Sequence, residues 1–443
     1  MKKLLILAFA VVSLNVAAQD LAHYKRIVKE LSSKKYQGRG YAKGGANKAG
    51  RFLEKEYLKA GVDEVTLQPF KLDVQTFSGK MEMESLTPTL SKGEGENNGQ
   101  MVNGQWKKLQ PGIDFSMREY SPGVKGEFPV YHVDTLNFDA DKLFADLAKP
   151  EYKNCMVACE FWFSYKHRDI FTKLQNTPPK GEQGGGLPNA GLLYTWPAPI
   201  KFFKAYASKV VDKPIVWVTP EAIKGVKHVR LNVDAKFLKD YECFNVISKI
   251  EGQRHDSCYV FTAHYDHLGN LGKKVFYAGA NDNASGSACI LTLAAHYAKH
   301  RPKFDMYFLA LSGEDTNLNG SKWFVDHPIV PLSQIKYLFN IDMIGDNNPV
   351  QYCEVSDEGM KAFPLFEKIN AEKHYFKELH RGNLAANSDH YPFAMKHVPC
   401  IFLENESGDA FQYYHTIFDD WQHAVTASYE PVFRLVRNFI EQY

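Results

Sequence analysis

From about residue 240 the chain alternates short apolar runs with amphipathic stretches, and that alternation limits the fold more than anything else in the sequence. The runs DSCYVFTAH (256–264), KFDMYFLAL (303–311), KYLFNID (336–342) and VPCIFLE (398–404) have the length and apolar content of buried strands. ASGSACILTLAAHYAKH (284–300), MKAFPLFEKINAEKH (360–374) and SYEPVFRLVRNFIEQY (428–443) have helical character, with apolar residues three and four apart. Strands alternating with helices imply an α/β fold, a mostly parallel central sheet flanked by helices on both faces. Such sheets bind ligands beyond the carboxyl ends of their strands. In an enzyme, polar clusters should follow the apolar runs directly.

They do so repeatedly. YVFTA is followed by His264-Tyr265-Asp266-His267, and MYFLALSG by Glu314-Asp315. YLFN runs into Ile341-Asp342, GANDNASG (279–286) opens a helix around Asp282, and YYHTIFDD (413–420) supplies His415. Carboxylates and imidazoles gathered at strand mouths, with few Lys or Arg among them, repel one another unless cations intervene. Mixed His and carboxylate donors suit zinc.

AHYDHLG, GANDNASG, SGED…NGS, NIDMIG and YHTIFDD together resemble the co-catalytic di-zinc aminopeptidases, a family whose relatives include glutamate carboxypeptidase, glutaminyl cyclases and the transferrin receptor ectodomain. The resemblance is strongest over residues 243–422. It implies the zinc exopeptidase fold. It also implies that His264 and Asp342 bind one zinc, Asp315 and His415 a second, and that Asp282 bridges the two. Asp266 would steady the His264 ring from behind. Glu314 would be the general base, taking a proton from a water that zinc has acidified toward pKa ~7. Asp389 in Ser388-Asp389-His390, and Tyr414, would lie beside the substrate; Ser388 itself is read as a helix N-cap. His267 is read as non-ligating, and the Asn281 and Asn283 amides as satisfying backbone groups of their turn. Many family members carry Glu-Glu where this chain has Glu314-Asp315. The shorter Asp315 bears on the metal count: two zincs per chain are expected, with one as the alternative.

The rest of the chain frames this region. Residues 1–18 read as a secretory signal peptide: Lys2 and Lys3, an apolar run too short to span a bilayer, then Val16-Ala17-Ala18. The product is therefore expected outside the cytoplasm, in a periplasm or beyond the cell, with no membrane span. Residues 19–110 are assigned to the N-terminal part of the peptidase domain, with helices near 23–33 and 46–60 and a polar loop over 90–109. Residues 111–236 read as an inserted, smaller mixed β/α domain similar to a protease-associated domain, and 237–443 as the zinc peptidase domain. A formal charge of +2, with no basic stripe, offers no footprint for nucleic acid. Seven cysteines without a CxxC pair are expected to be mostly buried free thiols, with one disulfide allowed.

The reading that follows is an exported aminopeptidase acting on peptides with free N-termini. Its alternatives are a single-zinc glutaminyl cyclase-like acyltransferase and a metal-free binding protein on the same scaffold. A carboxypeptidase for acidic C-termini would need an Arg-rich pocket, and Arg381 is the only Arg in the stretch leading to the SDH motif. Oligomeric state has no signature in the sequence.

Overall fold

A computed structural model describes residues 20–90, 101–176, 189–202, 204, 209–405, 411–424 and 426–443. Residues 1–18, expected to be a signal peptide, and the Gly-rich stretch 180–186 lie outside the described residues. The chain divides into two compact units. One comprises residues 1–72, 240–269 and 277–443, the other 73–239 and 270–276.

The first unit is built on an eight-stranded sheet. Its centre is four parallel neighbours, in the order Phe304–Leu311, Arg254–His264, Ile335–Ile341 and Cys400–Glu404. Antiparallel strands Lys236–Ile250 and Val350–Val355 flank them, so the expected parallel sheet is the core of a mixed one. Alternate residues of a strand face opposite sides, and here both sides are apolar. Val260 joins Leu309, Leu338, Phe324 and Phe393 in one cluster, where helices Asn319–Asp326 and His390–Ala394 pack. Its neighbour Phe261 turns the other way and stacks on Phe308 and Phe339, with ring centroids at 4.6 and 5.3 Å. Phe439 of helix Tyr429–Gln442 and Phe366 of helix Phe363–Lys373 cover that side, stacked at 3.9 Å. Burying several such aromatic side chains, at roughly 1.5–3 kcal/mol each, is the main source of cohesion.

The second unit has its own eight-stranded sheet. It begins at Asp73 rather than at residue 111. The reason is pairing: Met81–Leu90 is hydrogen-bonded to His228–Val233 on one side and to Met101–Leu109 on the other. The Gly/Asn-rich composition of 90–109 had suggested one long loop, yet from residue 101 the chain is strand; residues 91–100 are outside the described set. Val124–His132, Met156–Glu160, Gly191–Thr195 and Ile215–Val218 form a parallel run over a core that includes Trp217, Leu192 and Phe171.

All seven cysteines are buried and unpaired, so the allowed disulfide is absent.

Candidate active site

The donors lie at the carboxyl ends of the central strands of the first unit. His264 ends its strand, Asp342 follows Ile335–Ile341 at once, and Glu314 and Asp315 come just after Phe304–Leu311. Asp282 sits in the irregular turn before helix Gly286–Lys299. That turn requires Gly279: its φ is 61°, and a Cβ there would lie 2.2 Å from the Asp282 carbonyl oxygen and 2.6 Å from Arg39 Nη2.

Asp282 stands at the centre. Its Oδ1 is 3.2 Å from His264 Nε2, and its Oδ2 is 3.1 Å from His415 Nε2. His264 Nε2 is also 3.4 Å from Asp342 Oδ1 and 4.0 Å from Glu314 Oε2. His415 Nε2 is 3.5 Å from Asp315 Oδ1. His264, Asp282, Asp315, Asp342 and His415 are each no more than 6% exposed, whereas the Glu314 side chain keeps 13% of its surface open. Every site residue named from the sequence is thus in or beside one cluster, with Asp389 and Tyr414 at its margin.

Electrostatics separates these groups. Burial pushes the Glu314 carboxyl well above the usual carboxylate range, partly offset by His264 and reinforced by Asp315, Asp389 and Asp342. Burial also disfavours charge on Asp282, yet His267, His264 and His415 hold it well below that range. Burial lowers His415, but the carboxylates of Asp282 and Asp315 bring it up to about 9. The Asp389 carboxyl is pushed up to about 7, chiefly by burial.

Among the described residues, three overlapping groups could hold a metal ion: His264 with Asp282 and Asp342, His267 with Asp282 and Asp315, and His264 with Glu314 and Asp315. Among the described residues Asp342 Oδ1 is buried with no hydrogen-bond partner and faces His264 Nε2, as suits an atom that would ligate a metal. Imidazole and carboxylate donors of this kind fit zinc.

The surroundings differ from expectation in three respects. The atom nearest His264 Nδ1 is the Asp266 backbone carbonyl oxygen at 3.2 Å; the carboxylate is 3.8 Å away. That carboxylate instead accepts from Tyr41 Oη at 2.6 Å and the Glu314 N–H at 3.2 Å. Ser388 does not cap its helix: its hydroxyl donates to Asp342 Oδ2 at 2.8 Å, because this puts the donor against a buried carboxylate. His267, left out of the ligand set, is wholly buried and lies 2.9 Å from Asp315 Oδ2. The amides of Asn281 and Asn283 do satisfy backbone groups, at Gly286 and also across the turn at Ile341, Met343 and Gly345.

Sequence reasoning passed over Arg39, Tyr41 and Asp419. The buried Arg39 guanidinium donates to the carbonyls of Leu31, Tyr265, Ala278, Gly279 and Asp282. Asp419 accepts from the N–H groups of Asn281 and Asp282 at 2.7 and 3.0 Å. The turn bearing Asp282 is clamped from both sides. Charged residues in QGRGY and FDD were the only signals. Tyr414 stacks on the His415 ring, centroids 3.7 Å apart.

Histidine and carboxylate donors buried at the strand mouths of an α/β sheet are the arrangement of a metalloenzyme. Residues 245–440, which contain all the donors, match the model of Peptidase family M28. Among curated relatives, an aminopeptidase of Bacillus subtilis (strain 168) is 27% identical over 223 residues, 48% of either protein. A probable zinc metalloprotease of Pyrenophora tritici-repentis is 35% identical over 106 residues, 22% of its length. The matched stretches thus span about half of these relatives or less. In fold the chain resembles a zinc aminopeptidase from Bacillus subtilis (TM-score 0.67, 18% identity, 95% of each chain). It also resembles a peptidase M28 precursor from Shewanella amazonensis (TM-score 0.68, 15% identity, 97% of this chain and 95% of that one).

Proposed function

We propose that this chain is a zinc-dependent aminopeptidase that holds two zinc ions and removes N-terminal residues from peptides with free amines. The observation that carries the reading is Asp282, whose two oxygens face two different imidazoles, His264 and His415, at 3.2 and 3.1 Å. One carboxylate directed at two donor groups is what a bridging ligand requires. His264 and Asp342 would hold one ion, and Asp315 and His415 the other. Bound zinc supplies Lewis acidity and brings the pKa of water toward ~7.

The chain's own residues supply the rest. Glu314 is the general base: it is the most open of the cluster's carboxylates, and burial raises its affinity for a proton. It takes the proton from the attacking water, keeps it on its carboxyl, and passes it to the departing amine. Asp266, braced by Tyr41, fixes the start of the Glu314 segment and the back of the His264 ring. Asp389 and Tyr414 border the substrate. The smaller unit is a protease-associated-like domain that takes no part in the chemistry. Export through residues 1–18 belongs to the same proposal; no helix among the described residues is long and apolar enough to cross a membrane.

The test is metal content together with product. Purified protein should contain two zincs per chain and release free amino acids from unblocked but not N-acetylated dipeptides. One zinc and ammonia release from Gln-initiated peptides would instead indicate a cyclase, and no metal or turnover a binding protein.

A further inference from the structure

We propose that His267 is a fourth protein ligand of the second metal position, binding through Nδ1 and supplying reach that Asp315 lacks; this rests on the two-metal reading above. A tetrahedral zinc with bonds of ~2.0–2.1 Å sets its donor atoms about 3.3–3.4 Å apart. Around the first position the spacings are 3.2 Å (His264 Nε2 to Asp282 Oδ1) and 3.4 Å (His264 Nε2 to Asp342 Oδ1). Around the second they are 3.1 Å (His415 Nε2 to Asp282 Oδ2) and 3.5 Å (His415 Nε2 to Asp315 Oδ1). His267 Nδ1 adds 3.7 Å to Asp282 Oδ2 and 2.9 Å to Asp315 Oδ2, values that bracket the same edge. This ring addresses both carboxylates of the second position.

The sequence chemistry agrees. Asp315 is a methylene shorter than glutamate, so its oxygens stop nearer the backbone. The wholly buried His267 imidazole, on the HYDH turn, meets that shorter carboxylate at 2.9 Å. The two positions then differ in kind. The second has four protein donors, from His267, Asp282, Asp315 and His415, which is a closed set. The first has three, from His264, Asp282 and Asp342, and keeps an open place on the side of Glu314. The asymmetry assigns the reactive water to the first position. It makes the second mainly a charge-balancing ion held by two neutral and two anionic residues.

With Nδ1 on the metal, the proton of His267 sits on Nε2, which is buried and, among the described residues, without a hydrogen-bond partner. Such a proton exchanges slowly and is observable. The experiment replaces zinc by Co²⁺ in the full-length mature protein and records proton NMR in H₂O. Three exchangeable imidazole N–H signals shifted far outside the diamagnetic range are expected, from His264, His267 and His415. Two in the wild type, with both metals bound, would overturn the assignment of His267 and leave the metal pair intact; this count needs no variant to fold. A wild type that binds a single metal would overturn the pair itself. In His267→Ala, zinc should fall from two to one per chain in equilibrium dialysis, and His267→Ala/Asp315→Glu should regain the second. Two tightly held zincs in His267→Ala alone would show that the imidazole is dispensable and the proposal wrong.

Discussion

The sheet centred on Arg254–His264 and the sheet centred on Val124–His132 have eight strands each, but they carry their charges in opposite places. In the second, Arg230 reaches Glu84 at 3.1 Å and Glu127 at 2.9 Å, with all three side chains a third to a half exposed. Water solvates these ions whether or not they pair, so the contacts contribute little. In the first, His264, Asp282, Asp315 and Asp342 are almost wholly enclosed. Like charges removed from water must be neutralised, by a counter-ion or by taking up a proton. Strand count and twist do not make a site; burying anionic groups together does.

Four experiments bear on that contrast, the strongest first. Asp282→Asn removes the charge shared by both donor groups, and zinc content and peptidase activity should both be lost. Full zinc content, measured by elemental analysis, would mean that the two groups do not depend on this carboxylate. Glu314→Gln should lower kcat by roughly 10²–10⁴-fold while leaving zinc content unchanged. A parallel loss of zinc would make Glu314 a ligand instead of the base.

The third concerns pH without metal. The folded state raises His415 from 6.5 to about 9, so the unfolded chain releases its proton first as pH rises. Stability from this pairing is whole below about pH 6.5 and disappears as pH climbs through about 9. Thermal melts of chelator-treated protein should therefore show Tm falling across that window. The zinc-loaded protein, whose imidazoles are already unprotonated, should show a much flatter profile. The smallest effect is expected from Arg230→Ala in the other sheet: less than about 1 kcal/mol in denaturant unfolding and an unchanged kcat. A large effect there would erase the distinction between the two sheets.

Much of the first sheet was legible because each of its central strands is a continuous apolar run, and each run ends at a chemically distinctive residue such as His264 or Asp342. The strand at 101–109 was hidden by the Gly/Asn-rich stretch beside it, since composition averages across a boundary that pairing draws sharply. Arg39 and Tyr41 were hidden for another reason. They act from more than two hundred positions away along the chain, and nothing in QGRGY indicates which loop it will meet. His267 stands inside a recognised motif, yet its direction depends on how the HYDH turn is folded, and side-chain direction does not follow from spacing alone.

The clamp on the Asp282 turn also bears on the order of events during synthesis. Its two jaws, Arg39 and Asp419, are separated by most of the sequence, and Asp419 is made long after Arg39. A nascent or truncated chain that lacks residue 419 has the strands and most of the donors, but not the turn that aims the central carboxylate. The central carboxylate is aimed only once residue 419 has joined the fold.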